Sequence, residues 1–205
     1  MNGRVELSAV VGRLPFLALP SGAARRYMLV VLLFALGNSS DAFVVVRMVD
    51  LGATVAGALL LLALMNVAYM VLAIPVGQLS DRFGRRSILL GGYVAYAAIY
   101  SGFAVISSVQ QAVLLILLYG AYYGVTDGIS RALLADLSPR AARGGAFGWF
   151  HMVTGVGALP ASIVAGALWS AFGPQSTFLF GASCALAAAA ILLAVQEPPQ
   201  RVAAG

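Results

Sequence analysis

Six long apolar runs joined by short connections govern what this chain can fold into. They fall at about residues 27–46, 54–78, 87–106, 112–135, 145–169 and 176–196. A helix needs roughly 20 apolar residues to cross the hydrocarbon of a bilayer, and each run meets that length. Isolated strands leave their backbone groups unsatisfied in lipid, so the runs are expected to be helices. The ten-residue alternation of a membrane β-barrel is absent. Composition agrees: 61% of the 205 residues are hydrophobic and 9% are charged, against about 25% charged in an ordinary soluble chain. A soluble domain of this size has too much surface to be covered by so few polar groups. The expected fold class is therefore an all-α membrane protein of six transmembrane helices, with antiparallel neighbours.

The charges suggest an orientation. Every basic residue is arginine, and the net charge is +5. Arg4, Arg13, Arg25 and Arg26 precede the first span. Arg82, Arg85 and Arg86 join the second to the third, Arg140 and Arg143 the fourth to the fifth, and Arg201 follows the sixth. The opposite side carries Arg47, offset by Asp50. By the positive-inside rule both termini are cytoplasmic. Trp149 and Trp169, near the two ends of the fifth span, suit an aromatic belt. Residues 1–26 read as a cytoplasmic lead-in, poorly ordered and without a signal peptide, because Pro15 and Pro20 break their apolar stretches. Residues 27–196 form the membrane domain and 197–205 a cytoplasmic tail. A basic face on a water-exposed fold, which nucleic-acid binding needs, is not indicated. The single cysteine, Cys184, offers neither an intrachain disulfide nor a multi-cysteine metal site.

An internal repeat organises the spans. Gly77-Gln-Leu-Ser-Asp-Arg-Phe-Gly84 and Gly166-Ala-Leu-Trp-Ser-Ala-Phe-Gly173 share the form G-x-L-x-x-x-F-G. At the same offset of 89, Ser87, Leu90 and Gly92 match Ser176, Leu179 and Gly181. Spans one to three thus repeat as four to six. Three is odd, so the second unit is inverted, and it has lost the charges of Asp81, Arg82, Arg85 and Arg86. Inverted repeats are common in secondary transporters.

The sharpest motif is Gly77-Gln-Leu-Ser-Asp81-Arg82-Phe-Gly84-Arg85-Arg86. Gly77 permits close helix approach, and Gly84 permits a turn that a β-carbon opposes. Asp81 favours a helix N-terminus, and the arginines favour headgroups and acidic partners. The motif resembles the G-x-x-x-D-R-x-G-R-R signature of the major facilitator superfamily. Gly37-Asn-Ser-Ser-Asp41-Ala-Phe, Asp136-Leu-Ser-Pro139 with Arg143-Gly144, and Ala146-Phe-Gly148 extend the resemblance to the C-terminal half of such transporters. The resemblance implies one half of a twelve-helix fold, alternating access, and a cytoplasmic charge cluster at Asp81, Arg85 or Arg86, and Asp136. It also implies a place in a bacterial inner membrane and no bound cofactor. Family transporters need two halves, so the chain is expected to pair with a second six-helix half, to homodimerise, or to be a fragment.

Polar residues inside the spans are the candidates for a substrate or proton pathway. A charge at mid-membrane costs roughly 2.5–3.5 kcal/mol, so it needs a partner or water. Asn38 and Asp41 lie in the first span, Asp127 and Arg131 one turn apart in the fourth, and His151 in the fifth. Histidine titrates near neutrality and suits a relay. Each also has a plainer reading: Arg131 snorkels or pairs with Asp127, Asp41 pairs with Arg47 or meets water, and His151 bonds a neighbouring helix. Gly120, Gly124 and Gly128 form a small-residue row for helix packing, and Tyr119, Tyr122 and Tyr123 either line a cavity or pack. Pro75 is read as ending the second helix and Pro160 as interrupting the fifth.

Two other classes compete with a transporter. Asp127-Gly-Ile-Ser-Arg131 faintly resembles a motif of membrane phosphatidyltransferases, but the other aspartates lack the spacing for metal ions. No serine-nucleophile elbow accompanies His151. The chain is therefore read as no enzyme. A non-transporting accessory or fragmentary six-helix protein is the remaining alternative.

Overall fold

In the computed structural model, the described residues are 20, 22–38 and 41–195, with the side chains at 74 and 76–82 excluded. Seven α-helices are described: α1 (Gly22–Gly37), α2 (Ala42–Asp50), α3 (Val55–Phe83), α4 (Arg85–Val105), α5 (Val109–Leu137), α6 (Arg143–Phe172) and α7 (Pro174–Leu192). A 3-10 turn, Arg140–Ala142, precedes α6. The helices α1 and α2 together make the first span, and α3 to α7 supply the other five. The expected lead-in lies largely outside the described residues, but its last part does not: α1 starts at Gly22 and takes in Arg25 and Arg26. The tail lies outside them.

The helices α3, α5 and α6, of 29, 29 and 30 residues, are longer than their apolar runs, because they continue through polar residues at the membrane edge. Neither proline acts as expected. Pro75 and Pro160 both sit inside continuous helices, and α3 runs on to Phe83. A single missing N–H does not stop a membrane helix when neighbouring helices support it.

The first span is broken where a continuous helix was expected. Asn38 lies outside helix, and α2 restarts after Asp41. Polar side chains that compete for backbone bonds favour such a point. The Tyr96 hydroxyl from α4 donates to the Gly37 carbonyl there, at 3.2 Å.

The inverted repeat is visible in the packing. The helix α3 packs along α5, as α6 packs along α1; α4 meets α5, as α7 meets α1; and α4 and α7 pack on each other. Each of these pairings maps onto another, or onto itself, when the repeats exchange. The turns match as well: Gly84 and Gly173 stand alone between long helices with φ of 83° and 84°. Gly92 and Gly181 play one role. A Cβ at Gly92 would meet Thr126, and a Cβ at Gly181 would lie 2.7 Å from the Gly37 carbonyl. Gly37 and Thr126 are themselves 89 residues apart, the offset of the repeat. The fold is thus two inverted three-helix repeats.

Two buried clusters hold the bundle. One, toward the α4–α5 loop, is aromatic and includes Tyr96, Tyr100, Phe103, Tyr119 and Phe178. The other, toward the arginine-rich end, includes Tyr27, Leu89, Tyr93, Leu133 and Leu192. Between α1 and α5, which touch little, the bundle opens into a cavity.

Candidate functional site

The cavity has a volume of about 190 Å³. Asn38 and Phe34 of α1, Tyr122, Tyr123 and Asp127 of α5, and Thr154 of α6 are among its lining residues. Its walls are aromatic and aliphatic in the larger part, with polar groups converging from three helices. Tyr122 and Tyr123 line it, whereas Tyr119 is buried behind them.

Asp127 and Arg131 form an ion pair one turn apart on α5, and each side chain is partly exposed, 36% and 43%. The same Asp127 oxygen accepts a hydrogen bond from Tyr69 of α3 at 3.0 Å. The i, i+4 spacing places both charges on one stripe of the helix, so the pairing follows from helix geometry. Tyr69 was not foreseen, since nothing in the sequence pairs α3 with α5.

Asp41 and Arg47 do not pair. Six residues separate them, about 240° around a helix, so they point to different neighbours. Arg47 is buried and donates to two carbonyls at the end of α4, Phe103 (3.2 Å) and Ile106 (2.7 Å). Carbonyls in a last helical turn lack intrahelical partners, and the negative end of the helix dipole favours a cation. The Asp41 carboxylate instead accepts from the Tyr119 hydroxyl at 3.1 Å. Asn38 Oδ1 accepts from Tyr96 at 3.3 Å.

His151 is exposed on α6. Among the described residues its imidazole makes no hydrogen bond, and its ring meets Phe150 edge-on at 5.5 Å. The expected interhelical bond is therefore not formed.

At the arginine-rich end, Arg85 forms a 2.7 Å ion pair with Asp136 and donates to the Ala132 carbonyl at 2.9 Å. Arg86 caps α7 through the Leu192 and Leu193 carbonyls. Arg143 donates to the Ala135 carbonyl at 3.0 Å. Gly84 makes the turn. Gly77 lies within α3, and the side chains of Asp81 and Arg82 are outside those described. Among the described side chains, Arg85 and Asp136 of the expected cluster are paired.

Comparison with known proteins decides the family. The sequence profile of the Major Facilitator Superfamily matches residues 25–205. The chain belongs to this superfamily. It is 36% identical over 173 residues to an uncharacterised MFS-type transporter of Methanocaldococcus jannaschii, covering 82% of this chain and 43% of that protein. It is 31% identical over 122 residues to the class B tetracycline resistance protein of Escherichia coli, covering 60% and 30%. It is 35% identical over 94 residues to the facilitated glucose transporter member 1 of Gallus gallus, covering 44% and 19%. The chain spans less than half the length of each of these relatives. Family and fold together make it a multi-pass membrane protein.

Proposed function

We propose that this chain is a six-helix half of a secondary transporter that moves a small solute by alternating access, driven by a proton gradient. The observation that carries the reading is a face no bilayer can cover. Asn38, Asp127 and Thr154 line the cavity. Tyr69 and Arg131 bond to Asp127, and Asn66 and His151 are exposed one turn from Tyr69 and Thr154 respectively. All lie within the spans. Leaving ionisable groups against lipid costs several kcal/mol in total, so this face meets water or protein. The open side of the cavity, lined from α1, α5 and α6, is read as the face for a second six-helix half or a second copy of this chain. The cavity then lies between the halves, with Asn38, Asp41, Asp127, Arg131 and His151 along the pathway.

The arginine-rich end is read as cytoplasmic, with both termini on the cytoplasmic side of a bacterial inner membrane. Arg85 and Asp136 supply part of the gate there, with Asp81 and Arg82 from the turn. Their ion pair is partly exposed and worth about 1 kcal/mol or less, so it can break and re-form in a transport cycle. The transport reading also draws on relatives named for tetracycline resistance and glucose transport.

The test uses the full chain in lipid vesicles with Asn38→Cys as a probe of the cavity. An impermeant maleimide, added outside or trapped inside, is expected to label it from both sides. Uptake of tetracycline and glucose under an imposed pH gradient is measured in parallel. Labelling from neither side would sink the pathway. Labelling from one side only would leave the non-transporting alternative.

A further inference from the structure

Asp41 differs from the other carboxylates whose surroundings are described. Asp127 has Arg131, Asp136 has Arg85, and Asp50 is exposed at the end of α2. Asp41 sits inside the first span, half buried, and among the described residues no cation pairs with it. It occupies the N-cap position of α2, where a carboxylate normally accepts a backbone N–H. Here its side chain makes no cap bond. It turns instead to phenols.

Those phenols form a connected set. Tyr119 donates to Asp41, and its oxygen lies 3.2 Å from the Tyr123 hydroxyl and 3.3 Å from the Tyr100 hydroxyl. Tyr123 reaches from the cavity wall toward Asp41 and Asn38. A phenol both donates and accepts, and its hydrogen can rotate. With Asp41 ionised, the hydroxyl hydrogens point toward the carboxylate. With Asp41 protonated, its own O–H donates to a phenol oxygen and the hydroxyl hydrogens turn away. Both states are satisfied without moving a heavy atom. Asp127 is held differently, in an ion pair with Arg131 on its own helix.

The remaining titratable and charged groups around Asp41 are accounted for. Arg47, on its own helix, is committed to the α4 carbonyls. The helix α4 contributes Tyr96 and Tyr100, α5 contributes Tyr119 and Tyr123, and α7 places Cys184 against Gly37. On α3, Tyr69 is bonded to Asp127. On α6, Trp169 packs on Phe43 near this level, and His151 lies about 27 Å back along the helix.

We propose that Asp41 is the proton-binding carboxylate of this domain, held at the break in the first span by a phenol network that is satisfied in both protonation states. The proton adds to a carboxylate oxygen by way of the Tyr123 side of the cavity and leaves to water as H⁺. This deepens the transporter reading and rests on it for its role, but binding can be measured without transport. Infrared difference spectra are recorded on the full chain in vesicles, without solute. The pH is stepped within a range held above about 5, where carboxylates in water stay ionised. One carbonyl-stretch band of a protonated carboxyl is expected on acidification. It should be lost in Asp41→Asn and kept in Asp127→Asn. In Tyr119→Phe, which keeps the carboxyl and removes one hydrogen bond, it should shift. Absence of a titrating band in the wild type, or its persistence in Asp41→Asn, overturns the assignment. So does an unshifted band in Tyr119→Phe. Failure of uptake with an intact Asp41 band would remove the transporter reading alone.

Discussion

Adding one methyl group along the α5 glycine row should give opposite results at its two ends. A Cβ at Gly120 meets the Met65 carbonyl oxygen of α3 and stands 3.0 Å from the Ala68 Cβ. At Gly124 it stands 2.8 Å from the Tyr69 carbonyl oxygen and 3.2 Å from the Leu72 Cβ. At Gly128 it meets nothing within 4 Å. Backbone oxygens cannot rotate aside, so relief at Gly120 requires the two helices to separate. Overpacking costs about 1–3 kcal/mol, and the upper end suits a rigid backbone contact. Alanine gains about 1 kcal/mol over glycine in a helix. The net expectation is a loss of about 2 kcal/mol for Gly120→Ala, a smaller loss for Gly124→Ala, and a gain of up to about 1 kcal/mol for Gly128→Ala. Reversible unfolding of the three variants in mixed micelles, followed by circular dichroism, measures the order. Equal stabilities at Gly120 and Gly128 would refute the close approach of α3 and α5.

Gly84→Ala and Gly173→Ala should each cost about 1–3 kcal/mol, because both backbones occupy a region only glycine adopts freely; thermal unfolding that shows a loss at one and none at the other would contradict their equivalence. Arg47→Met should lower stability by about 2 kcal/mol by removing two charge-assisted bonds. Arg47→Lys should recover less than half, since one ammonium cannot span both carbonyls; full recovery in the same unfolding assay would show that charge alone matters. Asp127→Asn should cost about 1 kcal/mol or less, given the exposure of the pair, and adding Arg131→Gln should return part of it; a double-mutant cycle without coupling would dismiss the pair. Asp81→Asn should slow transport with insertion intact, and wild-type rates in a correctly inserted variant would remove Asp81 from the gate.

Much of the fold was legible because lipid imposes simple rules. Length and hydropathy place six spans, and the matched glycines place both single-residue turns. The break at residues 38–41 was not legible, because apolar residues flank it and the hydropathy of the span hides it. Its signal was present in Asn38 and Asp41, whose side chains compete with a helix for backbone bonds. The partners of Arg47 were not legible, because a helix end supplies carbonyls that no sequence motif marks. Asp127 with Arg131 was legible from i, i+4 spacing alone. The Asp41 network was not, since it joins α2 to phenols on α5 that are 78 to 82 residues away. Local spacing encodes contacts along a helix, while contacts between helices depend on which faces the packing brings together.

The inverted repeat also shows how one backbone plan can carry different chemistry at its two ends. At the repeat offset of 89, Gln175 stands where Arg86 does, Arg47 where Asp136 does, and Asn38 where Asp127 does. Equivalent carbonyls at Phe103 and Leu192 are both capped by arginine, but from different places: Arg47 of the first span in one case, Arg86 at the start of α4 in the other. One end of the bundle is closed by a buried guanidinium on fixed carbonyls, the other partly by the exposed Arg85–Asp136 pair. A buried charged group held by hydrogen bonds resists rearrangement far more than a partly exposed ion pair does. The symmetry of the helices therefore does not extend to the strength of their closures. With Asp127 tied to Arg131, and Asp41 lacking a described cation, the two polar spans are likewise unequal. Neither carboxylate has an acidic counterpart in the other repeat: Asn38 stands where Asp127 does and Ser130 where Asp41 does, so the charge pair and the phenol-held carboxylate are each particular to one span.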